Sequence, residues 1–182
     1  MTIQVLGISG SLRKGSYNTS LLRTAETLLP SGMTLTHFDL RPIPLYDGDV
    51  EMAGIPASVE QFKEKIRQSD ALLIATPEYN YSIPGVLKNA LDWASRPAQT
   101  SPLFGKPLAI MGAGGRMGTS RAQYHLRQVA VFTNMLPINK PEVTIAISGS
   151  FNQEGDLVNE ESRELIRQLL QNLMQWTIQL NK

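Results

Sequence analysis

Along the 182 residues, short apolar runs alternate with segments whose apolar residues recur at helical spacing, and this alternation constrains the fold more than any single motif. Ile3 to Ile8 reads as a strand, and Leu21, Leu22, Ala25, Leu28 and Leu29 then repeat with a helical period until Pro30 and Gly32 stop the run. Met33 to Leu40 alternates as a second strand, and RPIPLYDGD, beginning at Arg41, reads as a loop. A helix from Ala57 to Gln68 carries Val59, Phe62 and Ile66 on its apolar face. Its charge run EQFKEKIR, from Glu60 to Arg67, reads as a solvated face. Ala71 to Ala75 is the third strand. The pattern continues with a helix from Pro84 to Ala94, a strand from Pro107 to Gly112, a helix from Ser120 to about Met135 and a strand from Val143 to Ile147. From Glu160 onward, Leu165, Ile166, Leu169, Leu170, Leu173, Trp176, Thr177 and Leu180 form the stripe of a long amphipathic helix.

Five strands alternating with five helices imply right-handed crossovers and a parallel sheet covered on both faces. At this length the expected fold is α/β, a flavodoxin-like three-layer sandwich with a five-stranded sheet of order 2-1-3-4-5. No repeat or low-complexity segment divides the chain, so one domain over residues 1–182 is expected. Ligands of such sheets bind outside the carboxyl ends of the strands, where strand order reverses. The loops after strands one and three therefore frame the expected site.

Those two loops carry the richest chemistry. GSLRKGSYNTS, from Gly10, has small polar donors at Ser11, Ser16, Asn18 and Thr19, close-approach glycines at Gly10 and Gly15, and a helix start aimed at the loop. Arg13 adds a bidentate donor. The triphosphate motif GxxxxGK[ST] fails here because Ser16 replaces its lysine, and GxGxxG fails at Gly112-Ala113-Gly114 because Met117 replaces its third glycine. One helix terminus, several hydroxyls and one arginine suit a monophosphate; the competing reading is an ordinary N-cap under a surface loop. TPEYNYSIPG, from Thr76, is a stiff loop bounded by Pro77 and Pro84, with Glu78, Tyr79, Asn80 and Tyr81 offering amides and ring faces. A flat, polar-edged heterocycle such as a flavin fits that set. After strand four, GAGGRMGTSR places four glycines in seven residues, open backbone at a third strand end.

Composition removes other classes. There is no cysteine, so no thiolate nucleophile, disulfide or cysteine-held metal is possible. His37 and His125 are too few for a histidine-rich metal centre, and no metal is expected. With 17 Lys and Arg against 16 Asp and Glu, no basic stripe points to nucleic acid. No apolar run approaches the ~20 residues of a membrane helix, and the start MTIQVLGISG lacks a basic segment followed by a long apolar one. A cytoplasmic protein with small-molecule partners is the expectation.

The motifs GSLRKGSYN, TPEYNYSIPGVLKNALDW and RAQYHLRQ resemble those of the NADPH-dependent FMN reductase family, which includes bacterial quinone and chromate reductases. The resemblance covers nearly the whole chain. It implies FMN as cofactor and NADPH or NADH as co-substrate. It places the phosphate with Ser11, Arg13, Ser16, Tyr17, Asn18 and Thr19, the ring against Pro77, Glu78, Tyr79, Asn80 and Tyr81, and Ala113 and Gly114 beside the ring or ribityl chain. Many relatives carry a serine in the third loop, where this chain has Ala113 and Gly114, so backbone amides take the place of a hydroxyl. The resemblance further implies a homodimer or homotetramer, with Tyr81, Arg121, Tyr124 and Glu142 as a contact cluster.

The expected activity is a ping-pong transfer of two electrons from NAD(P)H through FMN to quinones, with azo compounds, chromate or free flavin as further acceptors. No side chain is expected as catalytic acid or base, because the cofactor does the chemistry. The alternatives are a non-enzymatic electron carrier of the flavodoxin type and a regulatory module that binds phosphate esters without flavin. A formal charge of +1 disfavours the carrier, which would present an acidic docking face.

Overall fold

The computed structural model describes residues 2–181; Met1 and Lys182, the two ends of the expected domain, lie outside the described residues. Four strands form most of the sheet, β2 at its edge: β1 (Ile3–Ser9), β2 (Met33–Phe38), β3 (Ala71–Ala75) and β4 (Pro107–Gly114). Two short segments, β5 (Leu136–Pro137) and β6 (Val143–Ala146), both pair with β4. All pairings are parallel and the order is β2-β1-β3-β4-β5, so the doubly wound arrangement expected from the alternation is present.

Alternate residues of each central strand point to opposite cores. Val5, Leu73 and Met111 join one cluster with Leu21, Leu22, Ile166, Leu169, Leu170 and Leu173. Leu6, Ile8, Leu72, Ile74, Leu108 and Ile110 face Val59, Phe62, Ile66, Leu91 and Trp93 on the other side. Burial on both faces is why β1, β3 and β4 read as near-continuous apolar runs, whereas the edge strand β2 alternates. The helices α1 (Tyr17–Thr27) and α6 (Glu160–Leu180) cover the first face; α3 (Ala57–Gln68), α4 (Gly85–Ala94) and α5 (Ser120–Thr133) cover the second. Trp93 is fully buried and donates its indole N–H to the Pro44 carbonyl at 2.9 Å, whereas Trp176 is only partly buried and donates to Leu136.

Four differences from the sequence reading have physical causes. A sixth helix, α2 (Gly48–Ala53), interrupts the Pro- and Gly-rich loop, started by the Asp47 carboxylate accepting the Asp49 amide at 2.9 Å. The fifth sheet position is shared: β5 pairs with the start of β4 and β6 with its end, because residues 139–142, after the Ile138 amide bond to Leu108, leave the ladder. Strand β4 runs two residues past Gly112, so Ala113 and Gly114 belong to the sheet and not to a loop. Lys63, read as part of a solvated face, is buried between Val59 and Ile66 on the helix stripe. Its ammonium donates to Glu60 at 3.2 Å, one turn back and closer to solvent.

Candidate functional site

The carboxyl ends of β1, β3 and β4 converge on a groove of about 230 Å³. Ser11, Arg13, Ser16, Tyr17 and Asn18 line it from the first loop and the start of α1; Pro77, Glu78 and Tyr79 line it from the loop after β3. Ala113, Gly114 and Gly115 close it beside β4, and Ile147 completes the wall. Gly115, one of the four glycines after strand four, and Ile147, the end of the expected fifth strand, are not among the residues that the sequence assigns to the site. Ile147 lies just past β6, and only the pairing of β6 with the end of β4 brings it here. Thr19, Asn80 and Tyr81 lie outside the groove lining.

Each departure follows from local geometry. Consecutive helical residues point about 100° apart, so Asn18 and Thr19 face different ways. Thr19 bonds the Ser9 hydroxyl at 2.9 Å. Asn18 is buried, its amide donating to the Ala113 carbonyl at 3.0 Å and its side-chain oxygen accepting the Ala113 N–H at 2.9 Å. That two-way bridge ties the first turn of α1 to the end of β4. It satisfies both polar groups of Ala113, so the Asn18 side chain serves the fold and only its backbone N–H faces the α1 terminus. Asn80 and Tyr81 have φ of 51° and 64°, which turns the loop outward between reciprocal Tyr79 and Ser82 backbone bonds of 3.0 Å.

The donor set at α1 is what an anion requires. Ser16 is the N-cap, its hydroxyl accepting the Thr19 amide at 3.4 Å, and Ser20 N–H reaches the Ser16 carbonyl. Among the described residues, the amides of Tyr17 and Asn18 have no acceptor, and the first turn carries no acidic side chain. Arg13 stands over the Tyr17 ring at 5.3 Å, adding a cation beside those amides. A phosphate dianion fits such a terminus.

At the opposite side, Glu78 closes a second helix start. Its carboxylate accepts the Arg121 amide at 2.9 Å and the Ala122 amide at 3.1 Å, and pairs with the Arg121 guanidinium at 3.1 Å. Only 10% of the Glu78 side chain is exposed. The same guanidinium lies 4.1 Å from the centre of the Tyr81 ring. Glu78 therefore clamps the loop after β3 to α5. Tyr79, half exposed at the groove mouth, keeps its ring face available.

The glycines of the third segment act mainly through packing. A Cβ at Gly112 would lie 2.1 Å from the Thr119 hydroxyl and 2.3 Å from the Thr76 carbonyl, and one at Gly114 would lie 2.2 Å from the Gly118 carbonyl. These residues let the turn before α5 lie directly on β4. Gly115, with nothing within 4 Å, is the open backbone at the groove.

The model of one family, described as NADPH-dependent FMN reductase, matches residues 3–150. The chain belongs to that family. It is 56% identical over 180 residues to an NAD(P)H-dependent FMN reductase of Pseudomonas aeruginosa, spanning 98% of this chain and 97% of that protein. An NADPH:quinone oxidoreductase of Arabidopsis thaliana is 44% identical over 185 residues, covering 98% and 93%. The solved structure of a flavoenzyme NAD(P)H:acceptor oxidoreductase from Paracoccus denitrificans superposes with a TM-score of 0.88 at 30% identity, covering 98% of each chain. As a member of the NADPH-dependent FMN reductase family, the chain is an FMN-dependent NAD(P)H oxidoreductase. The groove's two helix-start amides without acceptors, its cation and its aromatic wall fit FMN.

Proposed function

We propose that this protein uses NAD(P)H to reduce quinones in a two-step cycle at one groove, with azo compounds, chromate and free flavin as further acceptors. The observation that carries this reading is the pair of Tyr17 and Asn18 amides without acceptors at the start of α1 beside Arg13, in the same groove as the rigid Pro77 to Tyr79 wall. Bound FMN supplies the two-electron relay between nicotinamide and acceptor. Ser11, Arg13, Ser16 and the amides of Tyr17 and Asn18 hold the phosphate. Pro77, Glu78 and Tyr79 present one wall to the ring, and Ala113, Gly114 and Gly115 line the other side. Thr19 acts through its bond to Ser9, and Asn80 and Tyr81 act through the shape of their loop. No side chain is needed as acid or base, because the chain's part is orientation and exclusion of water.

The domain spans residues 1–182 and works in the cytoplasm as a homodimer or homotetramer. Tyr81 and Tyr124, 66% and 61% exposed, are large rings on one side of α5 with Arg121, and Glu142 shares a small cleft with Tyr124. Because Arg121 already holds Glu78 within the chain, Tyr124→Ala is the cleaner probe. Light scattering should show a smaller assembly; an unchanged mass removes Tyr124 from the contact. The activity is tested by the absorbance spectrum of the purified protein, followed by anaerobic titration with NADH and NADPH and turnover with a quinone. A colourless protein that takes up no FMN sinks the proposal. Flavin without NAD(P)H oxidation marks an electron carrier instead.

A further inference from the structure

A second cavity, of about 420 Å³, lies on the β2 side of the phosphate loop. It is separate from the flavin groove but shares Ser11 and Arg13 with it, so the loop forms a ridge between two hollows. Its lining is partly an apolar floor: Leu22 is buried on the α1 side of the sheet, and Leu40 is buried on the other side with Phe38, whose ring lies 4.8 Å from that of Phe62. Cations line it from three elements, with Arg13 and Lys14 on the loop, Arg23 on α1 and Arg41 after β2. Against these four stand two carboxylates, Glu26 and Asp39, so the lining carries an excess of two positive charges with His37 neutral.

Arg41 is held in place before any ligand arrives. It donates one guanidinium N–H to Asp39 at 2.8 Å and another to the Leu12 carbonyl at 2.7 Å. Of the five N–H donors of a guanidinium, three have no acceptor among the described residues. The uncapped amides of α1 belong to the flavin groove, because Tyr17 and Asn18 line that groove and not this cavity. An anion here is thus read by side chains, whose guanidinium forks match a phosphate monoester. In the dinucleotide-binding class of doubly wound sheets, whose fingerprint this chain lacks, an acid after the second strand meets a ribose hydroxyl and a neighbouring arginine meets a 2′-phosphate. Asp39 and Arg41 occupy that place, one and three residues past β2.

We propose that this cavity receives the 2′-phosphorylated adenosine end of NADPH, with the adenine on the apolar floor and Arg41 and Arg23 on the 2′-phosphate. The assignment rests on the NAD(P)H-dependent activity and adds the residues that distinguish the two dinucleotides. The ridge residue Arg13 then lies between the flavin phosphate and the adenosine. Asp39 orients Arg41 and offers an acceptor to the ribose.

The test uses FMN-loaded protein and three readouts. Calorimetry with 2′,5′-ADP should show binding to the wild type, and 2′,5′-ADP should compete with NADPH. In both Arg41→Ala and Arg23→Gln the ratio of kcat/KM for NADPH to that for NADH should fall by about tenfold or more, as expected for losing a charged contact to phosphate. Flavin content is measured for each variant, since loss of the Leu12 contact alone would disturb the phosphate loop. Unchanged ratios in both variants, or no binding of 2′,5′-ADP to holoprotein, overturn the assignment while leaving the reductase intact. Absence of FMN, or of any NADH and NADPH oxidation in the wild type, would instead overturn the activity itself.

Discussion

Two helices begin at the rim of the flavin groove, and they treat the same physical resource in opposite ways. Each helix start presents amide N–H groups without intrahelical partners and a partial positive charge. At α5 the protein fills this position with its own carboxylate, Glu78, which takes the Arg121 and Ala122 amides. At α1 the Tyr17 and Asn18 amides meet no acceptor among the described residues, and the first turn lacks an acid. The filled terminus makes the ring-side loop rigid without a ligand. The open one leaves two amides to which the chain itself supplies no acceptor, which is what the proposed phosphate site requires.

Filling α1 as α5 is filled should have the largest effect. Ser16→Asp keeps an N-cap but adds a carboxylate beside the phosphate position, and FMN affinity should fall by about a hundredfold, read by fluorescence titration. Thermal stability of the flavin-free protein should hold or rise, because aspartate caps well. A variant that binds FMN normally would show that the phosphate lies elsewhere.

Emptying α5 reverses the comparison. Glu78→Ala strands two amides and the Arg121 guanidinium, and should cost about 2 to 3 kcal/mol in denaturant unfolding. FMN binding should weaken as well, through the loosened loop. Should stability drop while flavin affinity stays unchanged, the clamp serves folding alone.

A somewhat smaller loss is expected for Asn18→Leu, about 2 kcal/mol, because the Ala113 N–H and carbonyl remain buried without partners. This variant separates two roles within one turn of α1. The Asn18 side chain holds β4, while its backbone N–H is left without an acceptor, as the proposed phosphate contact requires. Affinity for FMN should therefore drop less than in Ser16→Asp, by flavin titration of the folded fraction.

The smallest effect concerns pH. Burial pushes the Asp39 carboxyl up, but the hydrogen bonds and charge of Arg41 outweigh it and hold the group below its ordinary value of 3.8. A depressed carboxyl stabilises the fold above that value, and the contribution disappears as pH falls through the lower folded value. Since about half of each side chain is exposed, the effect is small and screened by salt. Acid unfolding of Asp39→Asn should begin from a slightly lower stability and slope less below pH 4, seen by circular dichroism.

Much of the fold was legible because it depends on local periodicity. The runs from Ile3 and Ala71 are buried on both faces, and the long stripe from Ile166 to Leu173 packs on one of them. Periodicity failed at β5 and α2. Two residues are too short to show a period, and Asp47 starts a helix of six residues inside a segment rich in turn formers. Lys63 shows a subtler failure: a charged residue on an apolar stripe can bury its stem, and only the stripe geometry shows it.

Within the candidate site, residue types were legible and their partners were not. The sequence by itself determined which loops carry hydroxyls, an arginine, prolines and aromatics, because these are local choices in short segments. Tertiary structure decided how they are used. Asn18 meets Ala113 across 95 residues and Glu78 meets Arg121 across 43, distances in sequence that no local pattern encodes. It also decided that Thr19 turns away from Asn18, and that Arg41 and Arg23 border one hollow. The physical reason is that a hydrogen-bond partner is fixed by where parallel strands end side by side, and strand order is a property of the assembled sheet.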